Sequence, residues 1–236
     1  MRLLAIFLFF GLIIFGCNNK NRDRLKSNIE ISKNQKPKSD SIIISKIDSS
    51  QIPKNITFIG KFKQGLKWSD SNGQNIVFLT ETGLFRDKNL THEFDNSADS
   101  ELYAYSYNIN NDTYKINWKI NDFVRDCPVD IVAKFIDNSL QITDLNKNGI
   151  AEVWTIYKIV CHGDVSPSDM KIIMYEGNQK YAIRGENKVQ VGINDNNEPQ
   201  YMGGEYKMDK QFANGPGVFK EFAKKLWDEN IIETWK

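Results

Sequence analysis

The pattern of hydrophobic and polar positions divides this chain into an apolar start and a long alternating body. A single charge, Arg2, precedes an apolar run from Leu3 to Phe15. The run is too short to span a bilayer as a mature helix, but it is typical of the central part of a secretory signal peptide. From Ile56 onward, short alternating segments separated by turn residues predict β-strands.

The end of the apolar run, Ile14-Phe15-Gly16-Cys17, resembles the bacterial lipobox, in which the signal is removed just before a cysteine that becomes lipidated. We therefore predict a lipoprotein signal peptide over residues 1–16 and lipidation of Cys17. An uncleaved N-terminal membrane anchor is the alternative. In both cases the chain is exported and tethered to a membrane. Asn18-Asn19 does not resemble an inner-membrane retention signal, so we expect the outer membrane.

Residues 17–53 are rich in Lys, Asn and Ser, with only short aliphatic patches such as residues 42–44. This segment lacks the apolar periodicity needed to offset the entropy of ordering a chain. We therefore predict a lipidated cysteine and a flexible basic tether over residues 17–53, followed by a single β-rich globular domain over residues 54–236.

The alternating segments predict a mainly β, antiparallel fold of successive hairpins, either a sandwich or a propeller-like arrangement. The clearest hairpins are expected within residues 61–82, 102–120 and 170–184, which contain turn sequences between alternating runs. Within residues 102–109, the even-numbered side chains share one face of a strand, and Tyr103, Tyr105 and Tyr107 share the other.

The hydrophobic period changes near the end of the chain. Val218, Phe219, Phe222, Ala223 and Leu226 recur at helical spacing, and Pro216 stands where such a helix would begin. One C-terminal helix is therefore expected to pack on the sheet.

Charge is distributed unevenly. Residues 18–53 contain eight Lys/Arg and four Asp/Glu, whereas the chain from Lys54 onward contains 22 and 26. A nucleic-acid-binding protein carries its basic charge on the folded body, so nucleic acid is excluded as a partner. Basic residues beside a lipid anchor favour contact with anionic headgroups instead.

The cysteines predict a disulfide. If Cys17 carries lipid, Cys127 and Cys161 remain, an even number in an oxidising compartment. We predict that they form a bridge; two separate buried thiols are the alternative. Without CxxC spacing they do not indicate a zinc site.

A loop rich in side-chain oxygens predicts a weak calcium site. Loop positions 1, 3, 5 and 9 carry oxygen-bearing side chains, position 7 offers a backbone carbonyl, and Gly149 at position 6 permits the bend. The ligands would be Asp144, Asn146, Asn148, Ile150 and Glu152. Position 12 is Thr155 rather than the bidentate Glu of an EF-hand, and the flanks resemble strands. The loop therefore resembles the shorter calcium loops of FG-GAP-type β-repeat proteins. A metal-free turn is the alternative.

The predicted disulfide would bring four titratable residues together: Asp126, Asp130, His162 and Asp164. They are candidates for general acid–base catalysis or for binding sugar hydroxyls, and solvated loop residues are the alternative. The other histidine, His92, stands in a polar loop and is expected at the surface. The chain contains none of the Gly-x-Ser-x-Gly, Ser-x-x-Lys or His-Glu-x-x-His motifs.

Several strings taken together resemble a known family. They are Lys67-Trp68, residues 79–83 (LTETG), 126–130 (DCPVD), 142–146 (ITDLN), 163–167 (GDVSP) and 170–177 (MKIIMYEG). They resemble small exported bacterial proteins annotated under surface polysaccharide (lipopolysaccharide) biosynthesis, over about residues 60–185. The resemblance implies a part in making or presenting cell-surface glycan, and it carries over no catalytic residue.

These expectations favour a lipid-anchored cell-envelope protein that acts as a non-catalytic accessory or binding factor in surface polysaccharide biosynthesis or presentation. Its partners would be the membrane and a surface glycan or envelope assembly proteins. A glycan-modifying enzyme that uses Asp126, Asp130, His162 or Asp164 is one alternative. A purely structural envelope lipoprotein is the other.

Overall fold

Two antiparallel β-sheets face each other in the computed structural model, which describes residues 42–111 and 113–233. The first sheet has the strand order β1-β2-β3-β4-β5, with β1 Ile43–Ile47, β2 Lys61–Asp70, β3 Gly73–Phe85, β4 Ala98–Asn110 and β5 Thr113–Cys127. The predicted antiparallel β fold is confirmed in its sandwich form.

The second sheet has the order β13-β10-β9-β8-β6, and β7 also pairs with β8. Its strands are β6 Asp130–Phe135, β7 Gln141–Thr143, β8 Glu152–His162, β9 Asp169–Glu176, β10 Gln179–Glu186 and β13 Tyr206–Met208. Between β10 and β13, the chain forms a separate two-stranded sheet from β11 Lys188–Ile193 and β12 Pro199–Gly203.

The period-2 alternation of the strands decides which side chains fill the sandwich. In β4, Leu102 and Ala104 point inward and are fully buried between the sheets. Tyr103 and Tyr105 lie on the opposite face, where they pack with Phe78 beneath the segment that precedes β2. The facing assignment predicted for residues 102–109 is therefore confirmed.

The outer face of the second sheet is covered by helices α1 (Lys210–Asn214) and α2 (Gly217–Asn230). Helix α2 starts directly after Pro216 and buries Phe219 and Leu226 against Trp154, as its apolar spacing predicts. None of the helices that the structure describes is long and apolar enough to cross a membrane.

The folded body begins earlier than the sequence predicted. Strand β1, Ile43–Ile47, and a 3-10 helix over Ser49–Gln51 lie within the segment expected to be a tether. Strand β1 is ordered by antiparallel pairing with β2 at the edge of the sheet. Strand β1 buries little apolar surface, since Ile43 stays 80% exposed. For this reason, no alternating hydrophobic pattern in the sequence indicates the strand. The predicted signal peptide and Cys17 lie outside the described residues.

The predicted Cys127–Cys161 disulfide is present, with the two Cα atoms 5.8 Å apart. Cys127 ends β5 in the first sheet, and Cys161 lies near the end of β8 in the second. The bridge therefore joins the two sheets covalently at one end of the sandwich.

Candidate functional site

The disulfide brings only part of the predicted acid and histidine group together. Asp130 and His162 are direct partners in the β6–β8 pair. His162 Nδ1 is buried, and its nearest carboxylate oxygen, on Asp164, is 4.0 Å away. The Asp164 side chain is 71% exposed and accepts hydrogen bonds from the hydroxyl and the amide of Ser166, which lower its pKa. This geometry is that of a capped surface turn beside a histidine.

Asp126 has a different, structural role. Its carboxylate accepts hydrogen bonds from the Ser97 hydroxyl and from the Glu93 amide, at 2.9 Å for the latter, and these bonds lower its pKa. The carboxylate therefore fastens the loop that precedes β4.

The same loop contains a buried contact between a histidine and an aspartate that the sequence did not reveal. His92 was expected at the surface, but its side chain is only 3% exposed, and its Nε2 lies 2.9 Å from Asp99 Oδ2. Burial alone would raise the pKa of Asp99, but bonds from the Asp87 and Asp126 amides and from His92 outweigh it and lower the pKa to about 2. The prediction for His92 is wrong because Asp99, seven residues further along the chain, provides the hydrogen-bond partner that makes burial of the ring tolerable.

The loop over residues 144–152 connects β7 to β8 and satisfies its own backbone. Asp144 Oδ2 accepts from the Gly149 amide at 3.2 Å, Asn146 Oδ1 from the Asn148 amide at 3.1 Å, and Asn148 Oδ1 from the Ile150 amide at 2.8 Å. Gly149 has a φ of +79°, a conformation that glycine adopts without strain. Asp144, Asn146 and Asn148 therefore each use one side-chain oxygen to accept a hydrogen bond from a backbone amide of the loop.

Two observations fit a cation in this loop. Asp144 Oδ1 is buried and has no hydrogen-bond partner among the described residues. Glu152 is fully buried; burial raises its pKa, and the nearby charge of Asp144 adds to this effect. A divalent cation would offset the cost of holding both carboxylates ionised.

Other contacts fill part of the coordination that calcium would need. Glu152 accepts hydrogen bonds from the Thr143 hydroxyl at 2.7 Å and from the Leu145 amide at 2.9 Å. The amide groups of Asn146 and Asn148 donate to Glu176 Oε1 at 2.6 and 2.7 Å. Within residues 42–111 and 113–233, no three His, Cys, Asp or Glu side chains are grouped closely enough to hold a metal ion. The donor set therefore fits a weak site only.

A cleft of about 320 Å³ opens beside this loop, at the end of the sandwich away from the disulfide. We call it the asparagine cleft. Its lining residues are Trp68, Asp70, Asn72, Asn75, Ser106, Asn108, Lys115, Ile116, Asn117, Trp118, Ala151, Val153, Tyr175, Gly177 and Asn178. The rings of Trp118 and Tyr175, one from each sheet, stack in parallel with centroids 4.3 Å apart. The cleft is therefore formed by both sheets, where their apolar contact ends.

Amide side chains replace apolar ones on the inward faces of the strands at this end. In β3, Asn75 lies two residues before the inward-facing Val77, and the two residues share a face. Its carbonyl oxygen accepts from Asn108 Nδ2 at 3.3 Å and from Asn117 Nδ2 at 3.4 Å. The result is a network of three amides from three neighbouring strands.

A β-bulge brings Asn117 into this network. The β4–β5 register pairs Ser106 with Trp118 and Tyr107 with Ile116, so Asn117 has no partner on β4. A bulge of this kind redirects side chains. Asn117 and Trp118 consequently both line the cleft, although they are adjacent in a strand.

Asp70 connects the cleft to the loop over residues 144–152. Its two carboxylate oxygens accept hydrogen bonds from four donors: Trp68 Nε1 at 2.9 Å, the Asn72 amide at 2.8 Å, Asn75 Nδ2 at 3.2 Å and the Ala151 amide at 3.1 Å. The Ser71 amide also donates to the Gly149 carbonyl at 2.8 Å. The turn between β2 and β3 and the loop before β8 are thereby held together across the two sheets.

Comparison with family models, with curated proteins and with solved structures finds no match for this chain. The resemblance to the polysaccharide-associated family therefore stays a prediction. What the described residues define is a two-sheet β-sandwich with an amide-lined and aromatic cleft at one end.

Proposed function

We propose that this chain is an exported, lipid-anchored envelope protein that binds a surface glycan non-covalently, as an accessory factor in polysaccharide assembly or presentation. The lipid on Cys17 would anchor the chain in the outer membrane, and the glycan would bind in the asparagine cleft. Envelope assembly proteins are the other class of partner.

The observation that carries this proposal is the chemistry of the cleft. Amide groups both donate and accept hydrogen bonds, which suits the hydroxyl groups of a sugar. Trp118 and Tyr175 stack on each other and are each 8% exposed, so only a small part of this aromatic pair is open to the apolar face of a sugar ring. A ligand site needs a few polar groups that converge on a concave surface. Asn75 is already satisfied by Asp70, Gly73 and the other two amides, so the amide groups left for a ligand belong to Asn108 and Asn117.

The enzyme alternative has less support. A general acid–base pair needs its groups within hydrogen-bond reach of one reacting atom. Asp126 is bonded to Ser97 and Glu93, and Asp164 caps the turn at Ser166. In the cleft, four donors already saturate the Asp70 carboxylate.

The test is binding of the full chain, purified in detergent, to polysaccharide released from the outer membrane of the bacterium that encodes it. We expect Asn117→Ala to weaken this binding about fivefold, since each lost hydrogen bond contributes roughly 1 kcal/mol. Asn121→Ala is the matched control, because Asn121 lies on the same strand, exposed and outside the cleft. Equal loss in both variants, or no binding by the wild-type chain, would refute the proposal and favour the structural alternative.

We also propose weak calcium binding by Asp144, Asn146, Asn148, the Ile150 carbonyl and Glu152. Calcium at ten times its dissociation constant should stabilise the folded state by about 1.4 kcal/mol. Millimolar calcium should therefore raise the melting temperature by roughly 3–5 °C, and magnesium by less, because magnesium requires tighter octahedral geometry.

The matched variants for calcium are Asp144→Ala, expected to lose the response, and Asp195→Ala, an exposed acid elsewhere, expected to keep it. Melting curves are recorded in calcium and in chelator. Identical curves for the wild-type chain in both conditions would leave residues 144–152 as a turn without metal.

A further inference from the structure

Ser106 is a buried polar group of the asparagine cleft that no protein contact explains. The residue is 0% exposed, and its Oγ has no hydrogen-bond partner among the described residues. An unpaired buried hydroxyl costs folding free energy, whereas alanine at this inward position would continue the apolar row of Leu102 and Ala104. Ser106 belongs to the lining of the cleft, and since its Oγ is closed to solvent, a ligand hydroxyl becomes the missing partner only when the side chains that cover it move aside.

The charges around the cleft indicate an uncharged ligand. Asp70 is the carboxylate in its lining, and its oxygens already accept four hydrogen bonds. The lysine of the lining, Lys115, is exposed at the rim. An anionic group placed beside Ser106 would lie among amides and a negative charge with no buried cation to pair it, which is unfavourable in a site shielded from water.

The size of the cleft limits how much of a glycan enters. Small-molecule sites span about 300–1,000 Å³, and the cleft, at about 320 Å³, is at the lower end of that range. The cleft therefore admits a small group rather than a long stretch of a polysaccharide chain. The stacked Trp118 and Tyr175 rings form one wall, and the amides of Asn75, Asn108 and Asn117 lie on the other side.

We infer that the asparagine cleft selects an uncharged terminal sugar residue, one hydroxyl of which hydrogen-bonds to Ser106 Oγ. The inference rests on the proposed glycan-binding function and specifies the ligand class of the same site. Ser106 is then a specificity-determining residue, and the other polar side chains hold the ring in place.

Replacement of Ser106 by alanine should move stability and affinity in opposite directions. Removing an unpaired buried hydroxyl relieves its desolvation cost, so Ser106→Ala should raise the melting temperature by about 2–4 °C. The same change removes the ligand's partner and should weaken sugar binding about fivefold. A residue that only packs the core would not produce this pair of effects.

Ser139 offers a matched control. It is also a buried serine, but its Oγ donates to the Ile156 carbonyl at 3.1 Å, and it does not line the cleft. Ser139→Ala should therefore lower the melting temperature and leave sugar binding unchanged.

The experiment is equilibrium dialysis of the detergent-purified full chain with radiolabelled methyl glycosides of neutral hexoses, of N-acetylhexosamines and of hexuronic acids. We expect at least one neutral glycoside to bind, and its uronate counterpart to bind at least about tenfold more weakly. Equal or tighter binding of the uronate would overturn the inference, as would unchanged affinity in Ser106→Ala.

Failure of this inference can be told apart from failure of the proposed function. If the released polysaccharide binds in an Asn117-dependent way but no methyl glycoside does, the terminal-sugar assignment is wrong and glycan binding remains. If neither the polysaccharide nor any glycoside binds, both are wrong.

Discussion

Replacement of both Cys127 and Cys161 by alanine is expected to lower the free energy of unfolding by about 3–4 kcal/mol. The bridge spans a sequence separation of 34 residues, and opening it enlarges the conformational freedom of the unfolded chain. Chemical denaturation at equilibrium measures the change. In a thermal scan, the double replacement should lower the melting temperature by roughly 10 °C.

Reduction supplies the control for this prediction. A reductant should destabilise the wild-type chain by a similar amount and leave the double alanine variant unchanged. If the wild-type chain were as stable in reductant as without it, the bridge would contribute nothing to the folded state. The two sheets would then be held together without it, by the shared apolar core and by polar contacts such as Asp70 with Ala151 and Asp122 with Lys171.

Replacement of Cys17 by alanine is expected to abolish lipid labelling and to leave the precursor uncleaved by the lipoprotein route. The thiol is the atom that would carry the lipid, and without it the precursor should keep residues 1–16. Metabolic labelling with a radioactive fatty acid measures lipidation. Intact mass shows whether residues 1–16 are retained, and fractionation measures how the chain partitions between membrane and soluble fractions.

The double variant Cys127→Ala, Cys161→Ala is the matched control, since it removes the other two cysteines and should retain the lipid label. Unchanged mass and membrane partition in Cys17→Ala would contradict lipidation. They would favour the alternative of an uncleaved N-terminal membrane anchor.

The strands that face the core were predictable because burial imposes a period on them. Strands β2 to β5, β9 and β10 carry alternating apolar residues between turn sequences, and helix α2 carries an apolar stripe. Strand β1 and the β11–β12 pair were not predicted, because they bury few side chains. Val191 and Ile193, for example, remain 47% and 62% exposed. An edge strand is ordered by backbone pairing, which leaves little trace in the hydrophobic pattern.

The candidate site was predictable only in part. The loop over residues 144–152 was found because its oxygens and Gly149 follow a known spacing. Glu176 was missed, although it accepts from two of those loop residues, because it comes from β9 and no local pattern connects them. The cleft did leave a signal. Ser106 and Asn108 continue the inward face of Leu102 and Ala104, and a polar residue at an inward position marks the place where a core ends.

The pairing of β1 with β2 fixes where a mechanical load enters the folded body. Ile43 pairs with Ser69 and Ile44 with Trp68, so the chain joins the first sheet beside the residues that border the asparagine cleft. Tension on the chain upstream of Ile43 is therefore transmitted first to Trp68 and its neighbours. The far end, where Cys127 and Cys161 clamp the sheets, bears that load last.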